Sequence, residues 1–281
     1  MVTAAAVGLT EWAFRAWTGD VTSSTATVVV SGITSNTSIT ATYINQQQVE
    51  CLNQPPANGV TTSTPKVTIT YTTAAGWSTA TLCPWSCNAD YCASGGACVA
   101  TYLDRISFTS GNASMWYGGD DSSHSGPRSV GGGQGVTPTT NVTMDRFGFE
   151  LQGAFKSETT GAPGSQPITL ELDMRNASGV LQTSYIASVP ANFSGGWVFW
   201  STPSVALSSG VQYIFTSFMP NAFTQQLDSG ILGDASAGYT GGTGYAAEAT
   251  SASVDMTTWT PWYVHAWDFH FRVQQRNPAC P

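Results

Sequence analysis

A chain of 281 residues is long enough for two domains, and its 41% hydrophobic and 11% aromatic content offsets the ordering entropy that would otherwise leave so polar a sequence unfolded. Only 9% of residues are charged, with a net charge of -8, and lysine occurs only at Lys66 and Lys156; no basic stripe exists to neutralise phosphates, which excludes nucleic acid as a partner. No run approaches the roughly 18–20 apolar residues that cross a bilayer, which predicts no membrane insertion, and the first ten residues lack the basic n-region of an intact signal peptide.

Short runs rich in Val, Ile, Thr, Tyr and Phe, punctuated by Gly, Pro, Asn and Ser, predict strands along the whole chain, with no amphipathic helix of ordinary length. Residues 26–30, 38–44 and 66–72 read as strands, and 77–82 lead into a cysteine-rich segment. The cysteines are Cys51, Cys83, Cys87, Cys92, Cys98 and Cys280. Intervals of three, four and five residues within the cluster do not give the paired knuckles of a structural zinc site. Disulfides are the expectation, and with them an extracellular or cell-surface location. Six thiols allow about 15 pairings, so connectivity stays open. Cys280 is expected to tie down its end of the chain, either to Cys51 or to another subunit.

Beyond Tyr102 the alternation sharpens. Ile168, Leu170, Leu172 and Met174 interleave with Thr169, Glu171, Asp173 and Arg175, which predicts one core face and one wet face. Phe147, Phe149 and Leu151 alternate in the same way, as do Val211, Tyr213 and Phe215. In the last strand Trp267, Phe269, Phe271 and Val273 are the core set, with Asp268, His270 and Arg272 on the solvent side. The glycine-rich stretch 118–135 reads as a long loop, its 131–135 part as a flexible connection, and 228–244 as a second loop. Neither has the strand–loop–helix context of a phosphate cradle. The predicted fold is all-β: two β-sandwich domains, residues 1–104 and 105–281, with a disulfide-bonded loop between them and the C-terminal domain a jelly roll.

Residues 144–151, 168–178, 180–190, 195–199 and 204–218, with the closing "AWDFHFRV" of residues 266–273, resemble the jelly-roll domains of bacterial extracellular and cell-surface proteins, which are similar to carbohydrate-binding modules. The resemblance covers residues 105–276. It implies adhesion, glycan contact or structural display.

Chemistry is harder to find. No Gly-x-Ser-x-Gly elbow accompanies the three histidines His124, His265 and His270, and the thiols are clustered like disulfide partners, so no catalytic residue is assigned and the chain is not expected to be an enzyme. Glu150, Glu158, Glu171, Asp173 and Glu248 are the carboxylates a glycoside hydrolase would draw on. Aromatic rings that stack on sugars make Trp259, Trp262, Tyr263 and Trp200 the glycan-binding candidates. Asp120 and Asp121, beside His124, are the candidates for a structural calcium ion; no other cofactor is expected. Asn36, Asn112, Asn141, Asn176 and Asn192 begin glycosylation sequons. The leading expectation is a non-enzymatic structural or adhesive subunit of a surface assembly or filament that associates with itself. A glycan-binding module is the second reading, and a polysaccharide-acting enzyme or a virion-surface protein the third.

Overall fold

β-branched and aromatic residues in alternation fold as strands throughout the computed structural model, which is 57% strand and 2% helix. It describes all residues except 7–11, 34, 53–54, 63–65, 82, 122–126, 158–159 and 237, and the backbone alone at 120, 121, 127 and 128. Two compact units emerge, Met1–Thr101 with Ala279–Pro281, and Tyr102–Pro278.

The first unit holds β1 (Val2–Ala5), β2 (Ala13–Gly19), β3 (Thr27–Val30), β4 (Ile39–Ile44), β5 (Gln46–Glu50), β6 (Gly59–Thr61), β7 (Lys66–Thr72), β8 (Gly76–Trp77), β9 (Trp85–Cys87), β10 (Tyr91–Ser94) and β11 (Ala97–Ala100). They form small sheets of two or three strands: β1 with β3, β2 with β4, β5 with β7 and β8, β6 with β9, and β10 with β11. Sheets this narrow bury little. Among the described residues Trp17, Val30 and Ile69 are the buried apolar side chains besides cysteine, while Val2, Trp12, Val29, Ile33, Leu52 and Val60 are exposed. The indole N–H of Trp17 is buried without a hydrogen-bond partner. Cross-links supply what packing does not: Cys51–Cys83, Cys87–Cys98 and Cys92–Cys280. Cys280 therefore joins Cys92 on β10, neither Cys51 nor another subunit, because Cys51 at the end of β5 stands 5.0 Å, Cα to Cα, from Cys83.

The second unit continues with β12 (Tyr102–Phe108), β13 (Ala113–Asp121), β14 (Pro127–Val136), β15 (Val142–Leu151), β16 (Ile168–Asn176), β17 (Leu181–Val189), β18 (Gly196–Leu207) and β19 (Tyr213–Phe218). The one-turn helix α1 (Ala222–Gln225) follows, then β20 (Asp228–Asp234), β21 (Gly244–Ala249), β22 (Trp262–His265), β23 (Asp268–Phe269) and β24 (Phe271–Arg276). On one side β15 lies between β18 and β24, with β12 outside β24; on the other β14, β19, β16 and β17 run in order, and β13 and β20 connect the two. The main core lies between these layers, where Phe147, Phe149 and Phe271 meet Leu170, Leu172 and Phe215. Strand β19 is buried on both faces: Phe215 joins that core, while Ile214 and Phe218 join a second one with Tyr245, Met256 and Trp262.

Both glycine-rich stretches expected to be loops contain strands. Residues 131–135 lie in β14, which pairs with β19 on one side and β21 on the other. Glycine is needed there because the packing leaves no room for a side chain. A Cβ at Gly131 would stand 2.7 Å from Cη2 of Trp262, and one at Gly133 2.8 Å from the carbonyl oxygen of Phe215. Residues 228–234 of the second stretch form β20, whose Ile231 is wholly buried.

Candidate functional site

Alternation along β16 puts Glu171, Asp173 and Arg175 on one face, as expected, but that face is not wet. The Ser/Thr-rich segment of residues 250–261 folds over it and is anchored by Met256 and Trp262 in the second core. Asp173 and Arg175 are thereby buried, and a buried charge needs a partner. Nη2 of Arg175 donates to Oδ2 of Asp173 at 2.5 Å, and the Ser184 hydroxyl to Oδ1 at 2.5 Å. Arg175 makes three further bonds, to Thr216 Oγ1 at 3.2 Å, the Gly179 carbonyl at 3.1 Å and the Thr257 carbonyl at 2.5 Å. One guanidinium thus ties β16, β19, the turn after β16 and the covering segment together.

Glu171 remains half-buried at the edge of this network. Burial first, then the neighbouring Asp173 carboxylate, pushes its carboxyl above the ordinary carboxylate range. It lines a cavity of about 390 Å³ with Ser129, Phe218, Asn221, Phe223 and Asp255. Two carboxylates facing a sugar across open space are not what β16 provides, because Asp173 is committed to Arg175 and Ser184.

The last strands depart from expectation in the same way. Asp268 and His270 are buried. Asp268 accepts from Nε2 of Gln134 and from the Tyr239 backbone N–H, both at 2.9 Å. His270 sets Nδ1 3.0 Å from a Glu150 carboxylate oxygen and Nε2 2.8 Å from the Ser110 carbonyl, so both ring nitrogens face acceptors and neither is open to a substrate. Arg272 does stay at the surface, in a ladder of rings and guanidiniums. Its Cζ lies 4.4 Å from the ring centre of Trp197, which stacks on Phe199 at 5.9 Å; Arg146 is held between Phe199 at 4.0 Å and Tyr102 at 3.7 Å. The ring faces are met from within the protein.

The glycan-binding candidates do not form a platform. Trp200 is buried with its N–H on the Leu170 carbonyl, and Trp262 is buried with its N–H on the Met256 carbonyl. Trp259 packs against the second core and Tyr245; of the four, only Tyr263 is exposed. Trp200 follows from β18 facing the main core, and Trp262 from filling the space over Gly131. The side chains of Asp120 and Asp121, and all of His124 and Glu158, lie outside the described residues, so the calcium expectation falls there too. Asn36, Asn112, Asn141, Asn176 and Asn192 are all exposed. The network around Arg175 and the ladder around Arg146 were not predicted; the spacing of Asp173 and Arg175 was the one local signal for the first.

Comparison of the chain with protein-family models, curated proteins and solved structures finds no match to any of them. Three disulfides with no free cysteine define a protein of an oxidising, extracellular-type environment. Among the described residues no helix is long and apolar enough to cross a membrane, and no group of three or more His, Cys, Asp or Glu could hold a metal ion.

Proposed function

We propose that this chain is a non-catalytic structural or adhesive protein, a subunit that associates with its own kind in an extracellular or cell-surface assembly such as a filament. The carrying observation is the first unit, which buries Trp17, Val30 and Ile69 while leaving Val2, Trp12, Val29, Ile33, Leu52 and Val60 in water. A unit with that balance gains more by covering apolar surface against a neighbour than a well-packed monomer would. The engagement of Asp173 and His270 inside the protein supports a role without chemistry at those groups. The resemblance of residues 105–276 to jelly-roll domains of cell-surface proteins points the same way. Light scattering and negative-stain microscopy of the purified oxidised chain test the reading. Oligomers or regular polymers that grow with concentration are expected; a monomer at every concentration would overturn it.

A further inference from the structure

Strand β17 is the last strand at one edge of its sheet. Among the described residues it pairs with β16 alone. Alternate backbone N–H and C=O groups along its other side therefore point away from the sheet, and such a row is best met by another extended strand. In the second unit, other strands with one open side carry protection. β12 bears Asp104 and Arg105 and shifts register between Asp104 and Ile106; β18 contains Pro203 and shifts register against β15; β22 is four residues long. In β17 the one irregularity against β16 falls at Gln182, which leaves residues 183–189 regular. No charged side chain occurs from 177 to 191. Apolar exposure gathers at the same place, with Val180 57%, Leu181 41% and Ile186 61% exposed.

Resting on the self-association reading above, we infer that the open side of β17 is the interface for β17 of a second copy, joined antiparallel across a two-fold axis so that the sheet continues between protomers. A second copy is the occupant because it brings an edge with the same unmet backbone row, the same absence of charge and the same exposed Val180, Leu181 and Ile186. With Ile186 on the axis, Ile186 meets Ile186, Ser184 meets Ser188, Tyr185 meets Ala187 and Thr183 meets Val189. Every pair joins side chains of the same face: Gln182, Ser184, Ile186 and Ser188 on the exposed side, Thr183, Tyr185, Ala187 and Val189 on the packed side. No like charges are opposed, and the most exposed apolar side chain of the edge is covered by its own symmetry mate. A single strand pair lies at the low end of specific interfaces, roughly below 1,200 Å², so this contact is reversible on dilution.

Two variants test it. In Ile186→Lys the new ammonium faces Glu171 across β16 within its own chain, which the fold tolerates, but meets a second ammonium across the axis. Its association constant in sedimentation equilibrium should fall at least about tenfold with an unchanged circular dichroism spectrum. In Ile186→Cys the introduced thiol is the one free thiol, since all six native cysteines are bonded; a short bismaleimide should give covalent dimers, whereas Val211→Cys, exposed outside any strand, should give none. Wild-type association that survives Ile186→Lys, or cross-linking no better than at Val211→Cys, overturns the β17 interface and leaves self-association standing. A wild-type chain that stays monomeric overturns both.

Discussion

The first unit buries Trp17, Val30 and Ile69 and carries all three disulfides, whereas the second buries Phe147, Phe149, Trp200, Phe215 and Phe271 among many others and carries none. One chain thus uses two sources of stability. Narrow sheets of two or three strands cannot bury enough apolar area to offset their ordering entropy, and cross-links lower that cost by restricting the unfolded chain. A wide sheet folded into two packed layers needs no such help. Cys92–Cys280 spans 188 residues, yet for unfolding of the first unit alone it acts as a short loop, because β12 and β24 hold Tyr102 opposite Arg276 while the second unit stays folded.

Reduction should break the comparison most visibly. Two thermal transitions are expected in the oxidised protein; with reductant the first should disappear and the second remain. Removing only the third bridge, with Cys92→Ser and Cys280→Ser together, should cost the first unit about 3 kcal/mol, as for a loop of roughly 15 residues, rather than the roughly 5 kcal/mol of a loop above 100. Calorimetry with and without reductant measures both. Loss of the second transition on reduction would show that the larger unit depends on the cross-links after all.

A smaller effect separates packing from backbone. Gly131→Ala brings a Cβ to 2.7 Å from Trp262 and 2.9 Å from the Ser217 carbonyl oxygen, and should destabilise the second transition by about 1–3 kcal/mol. Gly95→Ala in the first unit meets nothing within 4 Å, and its cost comes from the positive φ of 57° alone, about 1 kcal/mol. Denaturant unfolding of the two variants compares them. Equal costs at both sites would mean that the cover over Gly131 is loose.

The same glycine shows where sequence reading stops. Alternation in Ile168 to Met174 made β16 legible, because apolar side chains record which residues share a face. A strand of glycines leaves no such record, and its partners Trp262 and Phe215 are distant in sequence, so residues 131–135 read as a connection. Alternation is also silent on whether the second face is covered. That is why Asp173, Arg175, Asp268 and His270 were expected in water and are found bonded inside. Trp262 was readable as aromatic but not as the side chain filling the space above Gly131. The number of cysteines predicted cross-linking, while the partner of Cys280 depended on chain geometry that spacing does not contain.

The least of the expected effects concerns Glu171. Its folded-state pKa is raised by burial and by Asp173, so the folded protein holds this proton more tightly than the unfolded chain does. The stabilisation is fully present below the ordinary value of 4.5 and is lost as pH rises through the raised pKa. Asp234 and Asp255 act in the opposite sense: hydrogen bonds from Ser236 and Thr257 lower them, and what they add is lost as pH falls below their ordinary 3.8. Between about pH 4.5 and 7 the Asp234 and Asp255 contributions are nearly constant, and His265, lowered by burial, is common to wild type and variant. Asp173, itself raised by burial, titrates together with Glu171, so the difference between wild type and a Glu171 variant reports that pair. Glu171→Gln keeps a donor toward Asp173 and removes the titration. The wild-type second transition should fall relative to this variant across that window, by roughly 2 °C given the partial exposure of the group. Parallel curves would mean that Glu171 is ionised beside Asp173, and that the covering segment leaves this edge of the second unit as wet as alternation alone suggests.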